Sequence, residues 1–357
     1  MRSLHVGIAG AGLVGRTLAW RLLRAGSRVT LFDKDPADST ASASMVAAAM
    51  LSPMAELAVA DAVVFDLGQR SMALWPAWIE ELQGADPTAD AQPVYFRQNG
   101  TLVLAHGQDL SSLTHFTRLL EHKLPMANRS QLVHADGAAV AALEPALAGR
   151  FQQGLHLLGE GQVCNAQWMT ALERVLRHQG VQWHAEVGVD ALRPNMIAAG
   201  GKQFVFDAVV DARGVGSKPL LPGLRGVRGE VLRVQCPGVT LNRPVRLMHP
   251  RYQLYVAPRP DHMFVVGATE LESEDTGAVT LRSMLELGSA LYSLHPAFGE
   301  ARVQQMSAAL RPALDNDQPF CALRDGVWHI NGLYRHGYLC APALVDSLVQ
   351  QLLESNP

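Results

Sequence analysis

Cysteine is scarce in this chain. The four present, Cys164, Cys236, Cys321 and Cys340, are scattered and lack the close pairing of a metal site or redox motif. They are expected as reduced, mostly buried thiols of a cytoplasmic protein. Long hydrophobic runs are lacking too, none reaching the ~18 residues that a bilayer span needs, so no membrane-spanning helix is expected. Neither sign of charge dominates: 30 Lys plus Arg against 33 Asp plus Glu leave a net charge of −3. With no basic stripe, neither nucleic acid nor an anionic membrane surface is expected as a partner. Internal repeats and low-complexity tails are absent. What remains, 48% apolar and 18% charged over 357 residues, suits a globular chain with room for two domains.

Against this plain background the first thirty-odd residues stand out. An apolar run from Leu4 leads into Gly10, Ala11, Gly12 and Gly15. Val14, Leu18, Leu22 and Ala25 then recur at helical spacing up to Gly26, and a second apolar run ends in Asp33-Lys34, the acid 21 residues after Gly12. Each part has a physical task in holding a dinucleotide. Gly10 permits the tight turn out of the strand, Gly12 lets a pyrophosphate approach the backbone, and Gly15 lets helix and strand pack closely. The helix N-terminus offers free N–H groups to phosphate, and Asp33 can accept hydrogen bonds from a ribose diol. Because the pattern starts at residue 10, a secretory leader is not expected.

Further along, small residues fill Thr40–Glu56 up to Pro53, which suits either a closely packed helix or a flat ligand lying against the backbone. Helices are expected over 57–83, 108–122, 136–143 and 167–179, with Leu67, Leu74, Trp75 and Trp78 in the core. Two strands between Gln92 and Ala105 should meet as a hairpin at Asn99-Gly100. Strands are expected at Val181–Ala185 and Phe204–Ala212, the latter leaving through Arg213-Gly214 much as the first strand leaves through Gly10. A parallel sheet assembled from segments far apart in sequence follows. After residue 226 the chain turns to β, with Gly229–Gln235, Val245–Met248, Gln253–Ala257, Met263–Ala268 and 302–309. A helix near 280–293 interrupts it, and a last helix over Pro342–Leu353 ends the chain.

In this order, several motifs make the chain resemble the flavoproteins of the D-amino acid oxidase superfamily, and within it the glycine oxidase group that includes forms serving thiamine biosynthesis. They are Gly10–Gly15 with Asp33, Ala48-Ala49-Met50-Leu51-Ser52-Pro53, Leu143-Glu144-Pro145 and Val209-Val210-Asp211-Ala212-Arg213-Gly214. Beyond these come Arg228-Gly229-Glu230, Tyr255-Val256-Ala257-Pro258-Arg259, Val266-Gly267-Ala268-Thr269, Leu310-Arg311-Pro312 and Tyr334-Arg335-His336-Gly337.

The resemblance implies an α/β fold: a Rossmann-type FAD-binding domain (1–90, 145–222 and 325–357) interleaved with a mixed-sheet, α+β substrate-binding domain (91–144 and 223–324). It implies FAD as the dinucleotide, with Gly10, Ala11, Gly12, Val14, Gly15, Asp33 and Lys34 around the ADP half. Ser42, Ala49, Met50 and Gly214 would lie near the flavin and pyrophosphate, and Arg335, His336 and Gly337 beside the isoalloxazine. Pro312 stands where some sarcosine-oxidising relatives carry a flavin-linking cysteine, so non-covalent FAD is expected.

The implied reaction moves hydride from a small amino acid or secondary amine to the flavin, with dioxygen as second substrate and peroxide as product. Arg311 and Arg335 would grip the substrate carboxylate and Tyr255 would contact the substrate. Glu270 departs from the usual apolar residue there; it either meets an ammonium group or turns to solvent. The local loop after Arg311-Pro312 and the Cys164-Asn165 pair also depart from the pattern. His249 and His336 are not expected to be general bases. A dehydrogenase with another electron acceptor, or an oxidase of larger N-substituted amines, stays open as an alternative. A tRNA-modifying flavoprotein is disfavoured by the charge balance. Homo-oligomers are common in the group.

Overall fold

The strand His5–Ala9 is buried along nearly its whole length, as the central strand of a sheet covered on both faces must be. Arg28–Phe32 and Ala208–Asp211 flank it in parallel. Gln182–His184 and Val327–Asn331 extend the parallel set outward, and the antiparallel Phe320–Arg324 closes one edge of this six-stranded sheet. The computed structural model describes residues 3–249 and 254–355. Helices Leu13–Arg24, Ala62–Ala85, Asn165–His178 and Gly337–Glu354 share one apolar core with this sheet. At its centre Trp20, Trp78, Trp168 and Trp75 meet edge to face, with ring centroids 4.8–5.8 Å apart. Leu67 and Leu74 pack half-buried on its margin.

An eight-stranded mixed sheet forms the second body. Its order is Arg302–Ala313, Arg225–Gln235, Met263–Gly267, Leu254–Arg259, Val245–Met248, Thr101–Ala105, Gln153–Leu157 and Leu132–Asp136. Helix Leu281–Leu294 packs on it through Leu287, Ala290, Leu291 and Leu294. Two buried carboxylates explain motifs read in the sequence. Glu144 accepts from Asn242 N and from Arg243 Nε at 2.9 Å, tying the loop before Val245–Met248 to the helix end at Leu143. Asp211 accepts a bidentate pair from Arg213 at 2.8 and 2.9 Å and a hydroxyl bond from Ser217, which fixes the exit turn at Gly214. Among the described residues no helix is long and apolar enough to cross a membrane.

The structure departs from several expectations. Asn99-Gly100 does not close a hairpin. Gly100 turns at φ +87°, but Phe96–Arg97 pairs with Gly161–Val163 whereas Thr101–Ala105 enters the large sheet. The expected strand Phe204–Ala212 is two, Lys202–Val205 in a small antiparallel meander and Ala208–Asp211 in the parallel sheet. The helix expected over 57–83 begins only at Ala62, capped by Asp61, and runs to Ala85, after a separate short helix Pro53–Leu57. The last helix begins at Gly337, so Pro342 sits in its second turn and does not open it. Gln153–Leu157 belongs to the eight-stranded sheet and Phe320–Arg324 to the six-stranded one, each across the boundary drawn from the sequence. Phe320–Arg324 follows its hairpin partner Val327–Asn331 into the parallel sheet, and Gln153–Leu157 is held between Thr101–Ala105 and Leu132–Asp136 in the larger one. The strand drawn from Gln253 is seen from Leu254 onward; Gln253 lies outside the described residues.

Gly15 shows how tightly the first turn is built: a Cβ there would lie 1.8 Å from the Gly10 carbonyl oxygen. Gly15→Ala is therefore expected to destabilise the chain by about 3 kcal/mol. Gly84→Ala, an exposed helical position with open space around it, should stabilise by about 0.5–1 kcal/mol. Urea unfolding midpoints check both, and equal shifts in the two variants would refute the packing argument.

Candidate active site

Between the two sheets lies a cavity of about 1650 Å³, larger than a typical small-ligand pocket. On the parallel-sheet side it begins at the turn after His5–Ala9. Gly10 sits at φ +100°, and a Cβ there would come within 2.5 Å of the Ala212 oxygen. The space above Gly12 is open, its nearest neighbour being Ser44 Oγ at 3.9 Å. Helix Leu13–Arg24 starts there without a side-chain cap. Gly337–Glu354 likewise starts uncapped, and Gly337, Tyr338 and Leu339 line the cavity. Two helix N-termini with unclaimed N–H groups suit a diphosphate and an anionic ring.

Asp33 holds this turn by accepting from Ala11 N at 2.5 Å and from Asp35 N at 2.9 Å. Its carboxylate keeps lone pairs for a ribose diol. Lys34 points to solvent near Asp35, and Val14 lines the cavity half-buried. Ser42 caps the short helix Ala43–Val46, and Ala49, at φ +50°, and Met50 continue the cavity wall. The Gly214 carbonyl accepts from Asn331 Nδ2 at 2.9 Å. The open space over Gly12, the two uncapped helices and the volume together fit FAD.

The eight-stranded sheet supplies the other wall. Arg246 and Tyr255 are cross-strand partners, and Tyr255 in turn faces Gly267. The Tyr255 phenol lies across Gly267, where a Cβ would sit 2.9 Å from its hydroxyl oxygen. Arg311 repeats the device one strand pair away: its guanidinium lies over Gly229, where a Cβ would be 2.3 Å from Nη2. Arg311 Nη1 donates to the Thr269 carbonyl at 3.0 Å, and among the described residues no carboxylate pairs with it. Burial pushes the Tyr255 hydroxyl above its ordinary value, so it stays a neutral phenol.

Arg335 is differently placed. Its Nε lies 3.0 Å from Glu56 Oε2 and its Nη1 donates to Glu270 Oε2 at 2.9 Å. Glu56 also receives Arg246 Nη2 at 2.6 Å, and His336 Nδ1 stands 3.3 Å from its second oxygen. Burial alone would raise the Glu56 carboxyl; Arg335, Arg246 and His336 outweigh it and hold it well below the usual carboxylate range. The same two acids keep Arg335 firmly protonated. Glu270 thus faces the cavity wall half-exposed, engaged by a guanidinium. His336 turns to Glu56, which leaves its neighbour Gly337 as the backbone edge of the cavity.

The sequence singled out Arg311, Arg335, Tyr255 and Glu270, which the structure brings together on the cavity lining, but it missed Glu56 and Arg246. The available signal was an acid inside the buried helix Pro53–Leu57 and an arginine inside the apolar strand Val245–Met248, both anomalous unless paired. It also gave no task to Gly229 and Gly267, although glycine inside a strand often marks close approach of another group.

Residues 5–350 match the family model described as FAD dependent oxidoreductase (DAO). The chain is 39% identical over 98% of its length, and 97% of the relative's, to a Rhizobium etli protein bearing the name of a thiamine biosynthesis oxidoreductase, ThiO. It is 26% identical to a glycine oxidase of Geobacillus kaustophilus, covering 98% of this chain and 92% of that one. The crystal structure of glycine oxidase from Geobacillus kaustophilus superposes with a TM-score of 0.84 at 23% identity, over 99% of this chain and 96% of that one, and so shares the fold. With its glycine turn, its two uncapped helices and this family match over nearly its full length, the chain belongs to the FAD-dependent oxidoreductases of the DAO family.

Proposed function

We propose that this FAD-dependent enzyme oxidises a small amino acid or secondary amine of the glycine, sarcosine or D-amino acid type, with dioxygen as electron acceptor. The similarity to the Rhizobium etli protein and to glycine oxidases supports this substrate class and a place in thiamine biosynthesis. The observation that carries the reading is Arg311: a cavity guanidinium with no carboxylate partner, laid over Gly229 beside the neutral phenol of Tyr255. A substrate carboxylate matches its planar donors bidentately. Arg335 already pairs with Glu56 and Glu270, which supports assigning the substrate carboxylate to Arg311 rather than to both arginines.

Bound FAD supplies the hydride acceptor and the route to dioxygen. This chain supplies position and field. Arg311 fixes one end of the substrate, and the Tyr255 hydroxyl adds a neutral contact that repels neither the carboxylate nor an uncharged amine. The start of helix Gly337–Glu354 provides a positive dipole end toward the cavity. Gly10, Gly12, Asp33, Ser42 and Gly214 would hold the cofactor from the parallel-sheet side.

Anaerobic addition of glycine, sarcosine or a small D-amino acid to the flavin-loaded protein is expected to bleach its visible absorbance, and air should then produce peroxide. Flavoprotein that none of them bleaches would end this reading; bleaching without peroxide would assign another acceptor. Arg311→Met should lower kcat/KM roughly 10²-fold, mainly through KM, by the ~3 kcal/mol that charged hydrogen bonds contribute. Gly229→Ala should shift KM the same way by less, since it displaces the guanidinium without removing it. Unchanged KM in both variants would refute the anchor.

Glu56 gives a pH test. Its folded carboxyl lies below the unfolded value near ~4.3, so its contribution is complete above that pH and is lost as pH falls through the lowered value. Glu56→Gln should be about 3 kcal/mol less stable than the parent at neutral pH, with the gap narrowing below about pH 4. Urea midpoints across that range decide it; a constant gap would show that the carboxylate's charge is not what stabilises.

A further inference from the structure

Arg246, Glu56, Arg335 and Glu270 form one continuous chain of ion pairs, at 2.6, 3.0 and 2.9 Å. Two positive and two negative groups close this chain without surplus charge. Arg311 stands outside it, on the same wall: the phenols of Tyr255 and Tyr334 each lie within electrostatic reach of both Arg311 and Arg335. Glu56 is buried and held from three sides, whereas the Glu270 side chain is 48% exposed to the cavity. Glu270 is therefore the member of the chain that a ligand meets. Burial and the neighbouring Glu270 carboxylate push the Tyr334 hydroxyl up.

Resting on the reading of Arg311 as carboxylate anchor, we propose that Glu270 sets substrate specificity: by occupying Arg335 it confines the site to amines bearing a single carboxylate and excludes those with a second. A second acidic group, whether on the side chain or on the nitrogen, finds Arg335 already paired. To reach Arg335 it must displace Glu270 and leave two carboxylates facing each other across one guanidinium. A monocarboxylate needs no such displacement. Discrimination by an unfavourable like-charge encounter is a common way to reject a ligand larger by one charged group. Glu270→Gln keeps the size of the side chain, removes its charge and leaves Arg335 with one carboxylate partner, Glu56.

The test uses the flavin-loaded protein and two readouts. The first is calorimetric binding of acetate and of malonate, neither of which is a substrate of the proposed reaction. The parent should bind acetate and bind malonate no better. In Glu270→Gln, malonate should bind at least tenfold tighter than in the parent, with acetate changed by less than about threefold. The second is turnover of sarcosine against iminodiacetate and of D-alanine against D-aspartate. The ratio of kcat/KM for diacid over monoacid should rise at least tenfold in the variant at equal flavin content. A parent that accepts diacids as well as monoacids, or a variant whose ratio does not move, overturns the proposal. If the parent binds neither acetate nor malonate and Arg311→Met changes nothing, the anchor reading has failed and this proposal falls with it. If acetate binding depends on Arg311 but malonate is indifferent to Glu270, only the specificity role is lost.

Discussion

The Glu56 carboxylate joins the parts from which the site is made. It sits on a five-residue helix, Pro53–Leu57, opened by a proline. Its three partners come from elsewhere: Arg246 from the eight-stranded sheet, and Arg335 and His336 from the turn that precedes the last helix of the parallel-sheet body. A buried acid with three cationic or polar donors is costly to assemble, and removing any one member leaves uncompensated charge. That cost gives the two sheets a defined relative position at the point where substrate and flavin are proposed to meet. Hydrophobic burial alone, being non-directional, does not specify such an alignment.

The second recurring device is space left over a strand. Tyr255 over Gly267 and Arg311 over Gly229 are long polar side chains lying flat on an adjacent strand because no Cβ stands in the way. Lying flat, each side chain has few alternative rotamers, and its polar end is fixed relative to the sheet. Site groups held on strands in this way lose less freedom on binding a ligand than groups on loops. At the other wall Gly10 lets the backbone at Ala212 come close, and Gly12 leaves open space where a cofactor's phosphates are proposed to lie. Glycine on both walls thus allows close approach or leaves open space where a side chain would otherwise stand.

Local signals in the sequence carried far. Gly10, Gly12, Gly15 and Asp33 follow from strand, turn and helix within thirty residues, and the parallel sheet with its distant strands was legible from the repeated strand-to-glycine exits at Gly10 and Gly214. Arg311, Arg335 and Tyr255 were legible through their flanking residues. What failed depended on long-range pairing. Asn99-Gly100 has hairpin composition, yet its two strands find partners at Gly161–Val163 and at Gln153–Leu157, a choice made by distant chain. Pro342 reads as a helix opener, but burial of Tyr338, Leu339 and Cys340 carries the helix back to Gly337. Glu56 and Arg246 lie 190 residues apart, and neither has a local partner to announce it.

The fate of Glu270 shows how the same residue reads differently at the two levels. In sequence it is one acid after Thr269, equally suited to an ammonium group or to water. In the folded chain its meaning is set by Arg335, and that of Arg335 by Glu56. Each member of the relay limits what the next can do: Glu56 fixes Arg335 and Arg335 holds Glu270, while Arg311, among the described residues, pairs with no acid. On the proposed reading, charge pairing inside the cavity, more than the identity of any single arginine, decides which carboxylate a ligand must present and where.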